Sequence, residues 1–146
     1  MKTLRRAIGL AAVAMMIAAC GGGGDSVDVS LFEWSVEASD ASVGAGEVTF
    51  NVSNDGGEAH EMVIVKGIAP ADLPVDENGK VIEDDLPEGS FVGEVEEFEA
   101  GTTESATFDL EEGTYTLFCN ISEEEDDGSV ESHFQEGMVT TIEVTG

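Results

Sequence analysis

Residues 113–138 read GTYTLFCNISEEEDDGSVESHFQEGM, and this stretch decides the architecture of the chain. It begins as a strand, with Tyr115, Leu117 and Cys119 on one face and Thr114, Thr116 and Phe118 on the other. It then breaks into a polar run and returns as His133, followed five residues later by Met138. Thiolate, imidazole and thioether thus follow one another around a strand end. Two imidazoles and one thiolate in a plane, with a weak axial thioether, are the donor set of a type 1 copper centre. The chain has only two histidines. The second, His60, is the candidate for the missing imidazole, so this set uses both.

The stretch resembles the last strands of the cupredoxins, the plastocyanin- and azurin-like blue copper proteins. The resemblance rests on Gly113-Thr-Tyr115-Thr-Leu117-Phe-Cys119, on His133-Phe-Gln-Glu-Gly137-Met138 and on the closing strand Val139–Val144. It covers roughly residues 28–146, with most of its specificity in the last third. It implies a Greek-key β-sandwich, and one copper ion cycling between Cu(I) and Cu(II) on His60, Cys119, His133 and Met138. It further implies electron shuttling rather than catalysis, with His133 nearer the surface as electron port. Many relatives carry Asn directly after the upstream His; here that position is Glu61. The gap of thirteen residues between Cys119 and His133 is longer than in plastocyanin-like relatives.

Read without the resemblance, each residue keeps a plainer alternative. Cys119 can be a buried free thiol acting as a small hydrophobe, and His60 a loop-end histidine. Zinc competes for a His2Cys set, but a thioether at Met138 and the affinity order favour copper.

Upstream, 1–19 reads as a lipoprotein signal peptide. A basic start (Lys2, Arg5, Arg6) precedes an apolar run that ends in Ile17-Ala18-Ala19-Cys20. Cys20 is the expected lipidation site, placing the protein on the extracytoplasmic side of a membrane; cleavage of an ordinary signal near Ala19 is the alternative. Residues 20–26 read as a Gly-rich tether and 27–146 as one domain. With Cys20 lipidated, Cys119 has no disulfide partner in the chain, and copper would occupy an otherwise vulnerable thiol.

The charge is extreme. Removing the three basic residues of the signal takes the net charge from −27 to −30. Such a surface repels nucleic acid and steers basic partners. The acidic run Glu123, Glu124, Glu125, Asp126 and Asp127 is either a solvated excursion or a docking patch for a basic redox partner. It lacks the ligand ladder of a calcium loop.

The rest of the chain reads as all-β, seven to eight short strands with no helix. Val27–Ala38 is expected to form one or two edge strands, with Trp34 in the core. Val43–Gly46 reads as a turn and Glu47–Asn54 as a strand with Val48, Phe50 and Val52 inward. Asn54–Gly57 is a turn. Met62–Val65 is apolar on both faces, as in a strand covered on both sides. Ala69–Ser90 holds all three prolines and little periodicity, the mark of a packed surface insert. Phe91–Phe98 and Thr102–Leu110 complete the strands. Phe134 and Met62 are expected at an apolar rim of the site. The expected protein is a monomeric electron carrier; the alternative is a copper-delivery lipoprotein with no redox-chain role.

Overall fold

The computed structural model describes residues 24–146. The signal peptide, Cys20 and most of the tether lie outside the described residues.

Two sheets face each other. The first has the order β2-β1-β4-β7, from β1 (Asp25–Phe32), β2 (Ser35–Ala38), β4 (Gly46–Asn54) and β7 (Thr103–Leu110). The second has the order β3-β11-β8-β5-β6. It is built from β3 (Ser42–Gly44), β5 (His60–Lys66), β6 (Phe91–Phe98), β8 (Gly113–Phe118) and β11 (Val139–Thr145). A small hairpin, β9 (Ser122–Glu124) with β10 (Val130–Ser132), stands apart. β1 pairs in parallel with β4, and β3 with β11; the other ladders are antiparallel. The fold is the expected all-β sandwich. No helix among the described residues is long and apolar enough to cross a membrane.

Period-two alternation explains the interior. Val27, Val29 and Leu31 of β1 and Val48, Phe50 and Val52 of β4 are all fully buried between the sheets. Opposite them lie Met62, Ile64, Tyr115, Leu117 and Ile142. The other face of β5 and β8 is covered too. Val63, Val65 and Phe118 form a second cluster with Leu73 and Val81 of the proline-bearing insert. That second layer is why Met62–Val65 is apolar on both faces.

Several expectations are corrected. Within Val27–Ala38, β2 is the expected edge strand, whereas β1 is interior, between β2 and β4. β1 also begins at Asp25, ahead of Val27. Residues 42–44 form a strand rather than a turn, because the outer edge of β11 accepts them in parallel register. The described residues form eleven strands, the short ones having too few residues to show alternation. They also include one α-helical turn, α1 (His133–Glu136), and two 3-10 turns, Pro70–Asp72 and Glu83–Asp85; the Ser132 side chain accepts from Gln135 N–H at the start of α1. The acidic run 123–127 is exposed, as a solvated excursion would be, and it lies at the end of a hairpin with Glu123 opposite Glu131.

Candidate metal centre

His60 opens β5, where the loop held by Asn54 ends. The Asn54 amide is fully buried and donates to the carbonyls of Glu58 and Phe98, while its Oδ1 accepts from Gly56 N–H. Cys119 directly follows β8, and its N–H donates to the Met138 carbonyl at 3.1 Å. His133 starts α1, and its carbonyl accepts from Met138 N–H at 3.0 Å. Gly137 closes this turn at φ 125°, a conformation glycine adopts without strain. The segment from Cys119 to Met138 is thus a closed loop, tied at its neck by backbone hydrogen bonds.

The side chains converge. His60 Nδ1 lies 3.2 Å from His133 Nδ1, and Cys119 Sγ lies 3.5 Å from the same atom. All three donor atoms are within 4.8 Å of one another, and all three residues are fully buried. Met138 is also fully buried. A cation bonded to both nitrogens at about 2.0–2.1 Å fits across the gap between them. The donors therefore fit a metal, and their softness fits copper.

The outer partners fix the ring orientations. His60 Nε2 donates to Glu33 Oε1 at 3.0 Å, which leaves Nδ1 bare for a metal. Glu33 also accepts from the N–H groups of Gly57 and Glu58. Burial pushes the Glu33 carboxyl up, but those backbone donors and His60 outweigh it and hold it below the usual range. Burial and the neighbouring His133 lower the His60 pKa, against the pull of Glu33, so the ring is neutral and ready to ligate.

Glu61 bridges the ligand loops: its Oε1 accepts from the N–H of Asn120, the residue after Cys119, at 3.2 Å. Burial, reinforced by Glu94, raises the Glu61 pKa. Asn120 in turn pairs with both backbone groups of Val81 and with Glu83 Oε1. Ser132 Oγ donates to the Gly79 carbonyl at 2.9 Å. The insert therefore braces the residues after Cys119 and before His133.

The surroundings add detail to the expectations. His133 is fully buried, as is His60, with its Nε2 3.7 Å from the exposed Glu58. The half-buried Trp34 packs against the main core as expected, and it also stands edge-on to the His133 ring, with centroids 5.2 Å apart, so it covers the site as well. Phe134 packs on Phe118 beneath the insert, and Met62 is fully buried in the main core; neither forms a rim. Glu33, Trp34, Glu58 and Asn120 carry no motif that singles them out in the sequence.

No family model and no curated protein matches the sequence. Solved structures do. An auracyanin from Roseiflexus castenholzii is similar with a TM-score of 0.62 and 21% identity, over 86% of this chain and 100% of that one. The chain has the cupredoxin fold. Auracyanin A of Chloroflexus aurantiacus, described as a blue copper protein, gives a TM-score of 0.58 and 18% identity over 84% and 100% of the two chains. An azurin from Methylomonas sp. strain J gives 0.57 and 20%, over 84% and 98%. Val63 and Val139 both pair with Phe118, so the start of β5 and the neck of the Cys119–Met138 loop lie at the same end of the second sheet, where the donors meet.

The thiol adds a pH dependence. Burial pushes Cys119 up to about 11. At neutral pH it is protonated until a metal displaces that proton. Proton release makes binding stronger as pH rises, by about tenfold per unit below the thiol pKa. Competition titrations with a copper chelator at pH 6, 7 and 8 should give that slope; a flat profile would mean that no thiolate forms.

Proposed function

We propose that the protein is a type 1 copper electron carrier, in which His60, Cys119, His133 and Met138 would hold the ion. The convergence of two bare-capable imidazole nitrogens and one thiol in a fully buried pocket carries this reading. Copper, when bound, supplies the one-electron couple. The chain supplies the rest. Glu33 holds His60 in the ligating tautomer, and Glu61 and Asn120 lock the two ligand loops together. The sandwich and its second apolar layer exclude water. A site whose donors are held in place moves little between oxidation states, which suits rapid exchange of electrons.

The full burial of the donors favours a carrier that retains its copper over a delivery protein that hands it on. With four protein donors on one ion, no position is left for a substrate, so the reading is non-enzymatic. The direct test is addition of one equivalent of Cu(II) to the protein, read by visible absorption and EPR. An intense thiolate-to-copper band with a compressed copper hyperfine pattern is expected; a folded protein with no such band would overturn the reading.

The setting is proposed with it: export, a lipid on Cys20, and a basic redox partner. The hairpin bearing Glu123–Asp127 projects between Cys119 and His133, so its charge lies in the loop that holds the site. Neutralising these five acids to Asn and Gln should slow association with a basic partner several-fold at low salt and flatten its salt dependence. Identical rates in stopped-flow mixing would remove the docking role. Cys20→Ala should move the protein from the membrane fraction to the soluble fraction.

A further inference from the structure

Among the described residues, one buried side-chain polar atom has no hydrogen-bond partner: Nε2 of His133. The ring is fully buried. Its Nε2 faces Glu58, whose Oε2 lies 3.7 Å away, beyond hydrogen-bond length. An oxygen of Glu131 completes a group whose three donor atoms all lie within 4.8 Å of one another. Glu58 is exposed and Glu131 half-buried, so this group meets solvent where the inner donors do not.

The hydrogen bonds fix which nitrogen of each ring is bare before a metal arrives. Glu33 is an acceptor, so it takes the Nε2 proton of His60 and leaves His60 Nδ1 bare. His133 Nδ1 sits 3.2 Å from that bare nitrogen, and the two hydrogen-bond in the tautomer that carries the His133 proton on Nδ1. That tautomer leaves Nε2 bare, 3.7 Å from Glu58 Oε2. Three acceptors without a donor converge there, and a cation satisfies all of them.

We propose that Glu58, Glu131 and His133 Nε2 form a second divalent-cation site, which captures the ion at the mouth of the buried centre. Two carboxylates and an imidazole suit borderline ions such as Cu(II) and Zn(II). The two sites share one ring and alternate. As the ion moves inward, the Nδ1 proton passes to water, Nε2 takes up a proton from water, and the Cys119 thiol releases its own. Nε2–H then donates to Glu58, and the outer site closes. Occupancy of either site weakens the other. The loading role rests on the copper reading of the inner site; the outer site itself does not.

Two experiments test it. Metal-free protein is mixed with aqueous Cu(II) in a stopped-flow instrument and the thiolate-to-copper band is followed. The rate should saturate with copper in the unaltered protein. In Glu58→Gln/Glu131→Gln it should fall about tenfold or more at low copper and become linear in copper, with circular dichroism confirming the fold. Unchanged kinetics overturns the proposal, as does equal slowing in Glu123→Gln/Glu124→Gln, which removes the same charge from the hairpin. No band in the unaltered protein would instead sink the type 1 reading, and a second measurement then decides the outer site. In Cys119→Ala, calorimetric titration with Zn(II) should show binding that weakens about tenfold or more when Glu58 and Glu131 become Gln. Equal affinity in the two backgrounds overturns the proposal.

Discussion

Cys119→Ala is expected to abolish the thiolate-to-copper band and to weaken copper binding roughly a hundred- to a thousand-fold. The estimate takes one donor of four from a total metal-binding free energy of about 10–16 kcal/mol. The remaining imidazoles still present Nδ1 atoms 3.2 Å apart, so some copper binds, but as an ordinary nitrogen-ligated Cu(II). The fold survives, because the thiol is small and the residue's N–H bond to the Met138 carbonyl belongs to the backbone. The variant also separates metal from scaffold. In the unaltered protein, copper at about a thousand times its dissociation constant adds about 4 kcal/mol of stability, and in Cys119→Ala at the same copper concentration most of that gain disappears. Calorimetric melts of both proteins with and without copper provide the measurement. A copper-dependent rise in Tm equal in the two would show that Cys119 is not a ligand.

The sequence revealed the donors better than their surroundings, and the reason is physical. Cys119, His133 and Met138 lie within one loop, so their spacing is readable along the chain. His60 follows from the count of histidines. What covers the donors comes from far away in sequence. Glu33 and Trp34 sit at the turn between β1 and β2, and reach His60 and His133 only because β1 packs beside β4. No local pattern encodes that contact. The strands show the same division. β4 alternates over nine residues and is readable, whereas β3 has three residues and exists only because β11 offers an edge. The hairpin of β9 and β10 lacks apolar alternation, and its pairing sets Glu123 against Glu131. It forms because both of its ends are held, one beside Cys119 and the other by Ser132 on the insert. The insert itself was legible as a packed excursion from its prolines, but its bracing of Asn120 was not.

Phe50→Ala should produce the largest loss of stability while leaving the copper spectrum of the folded protein in place. Phe50 is fully buried at the middle of β4, between β1 and β7, with its ring tilted against Phe108 at 6.2 Å. Truncation removes its transfer free energy and leaves a cavity that two hydrogen-bonded sheets cannot close, at a cost of about 3–5 kcal/mol. For a domain of this size that corresponds to a fall in Tm of roughly 10–25 °C. The metal donors sit elsewhere. Cys119 follows β8 and Met138 precedes β11 in the other sheet, His60 begins β5 of that sheet, and His133 follows β10 of the small hairpin. Their mutual geometry is held by Glu33, Glu61, Asn120 and the neck of the Cys119–Met138 loop, none of which hydrogen-bonds to the Phe50 side chain. Chemical denaturation gives the stability and the visible band gives the site. A loss below about 1 kcal/mol would mean that the sheets slide together to fill the space. A large loss accompanied by a shifted band would mean that the packing around Phe50 also fixes the β1–β2 turn that presents Glu33 to His60, and that the pre-organisation proposed for electron transfer depends on the whole sandwich.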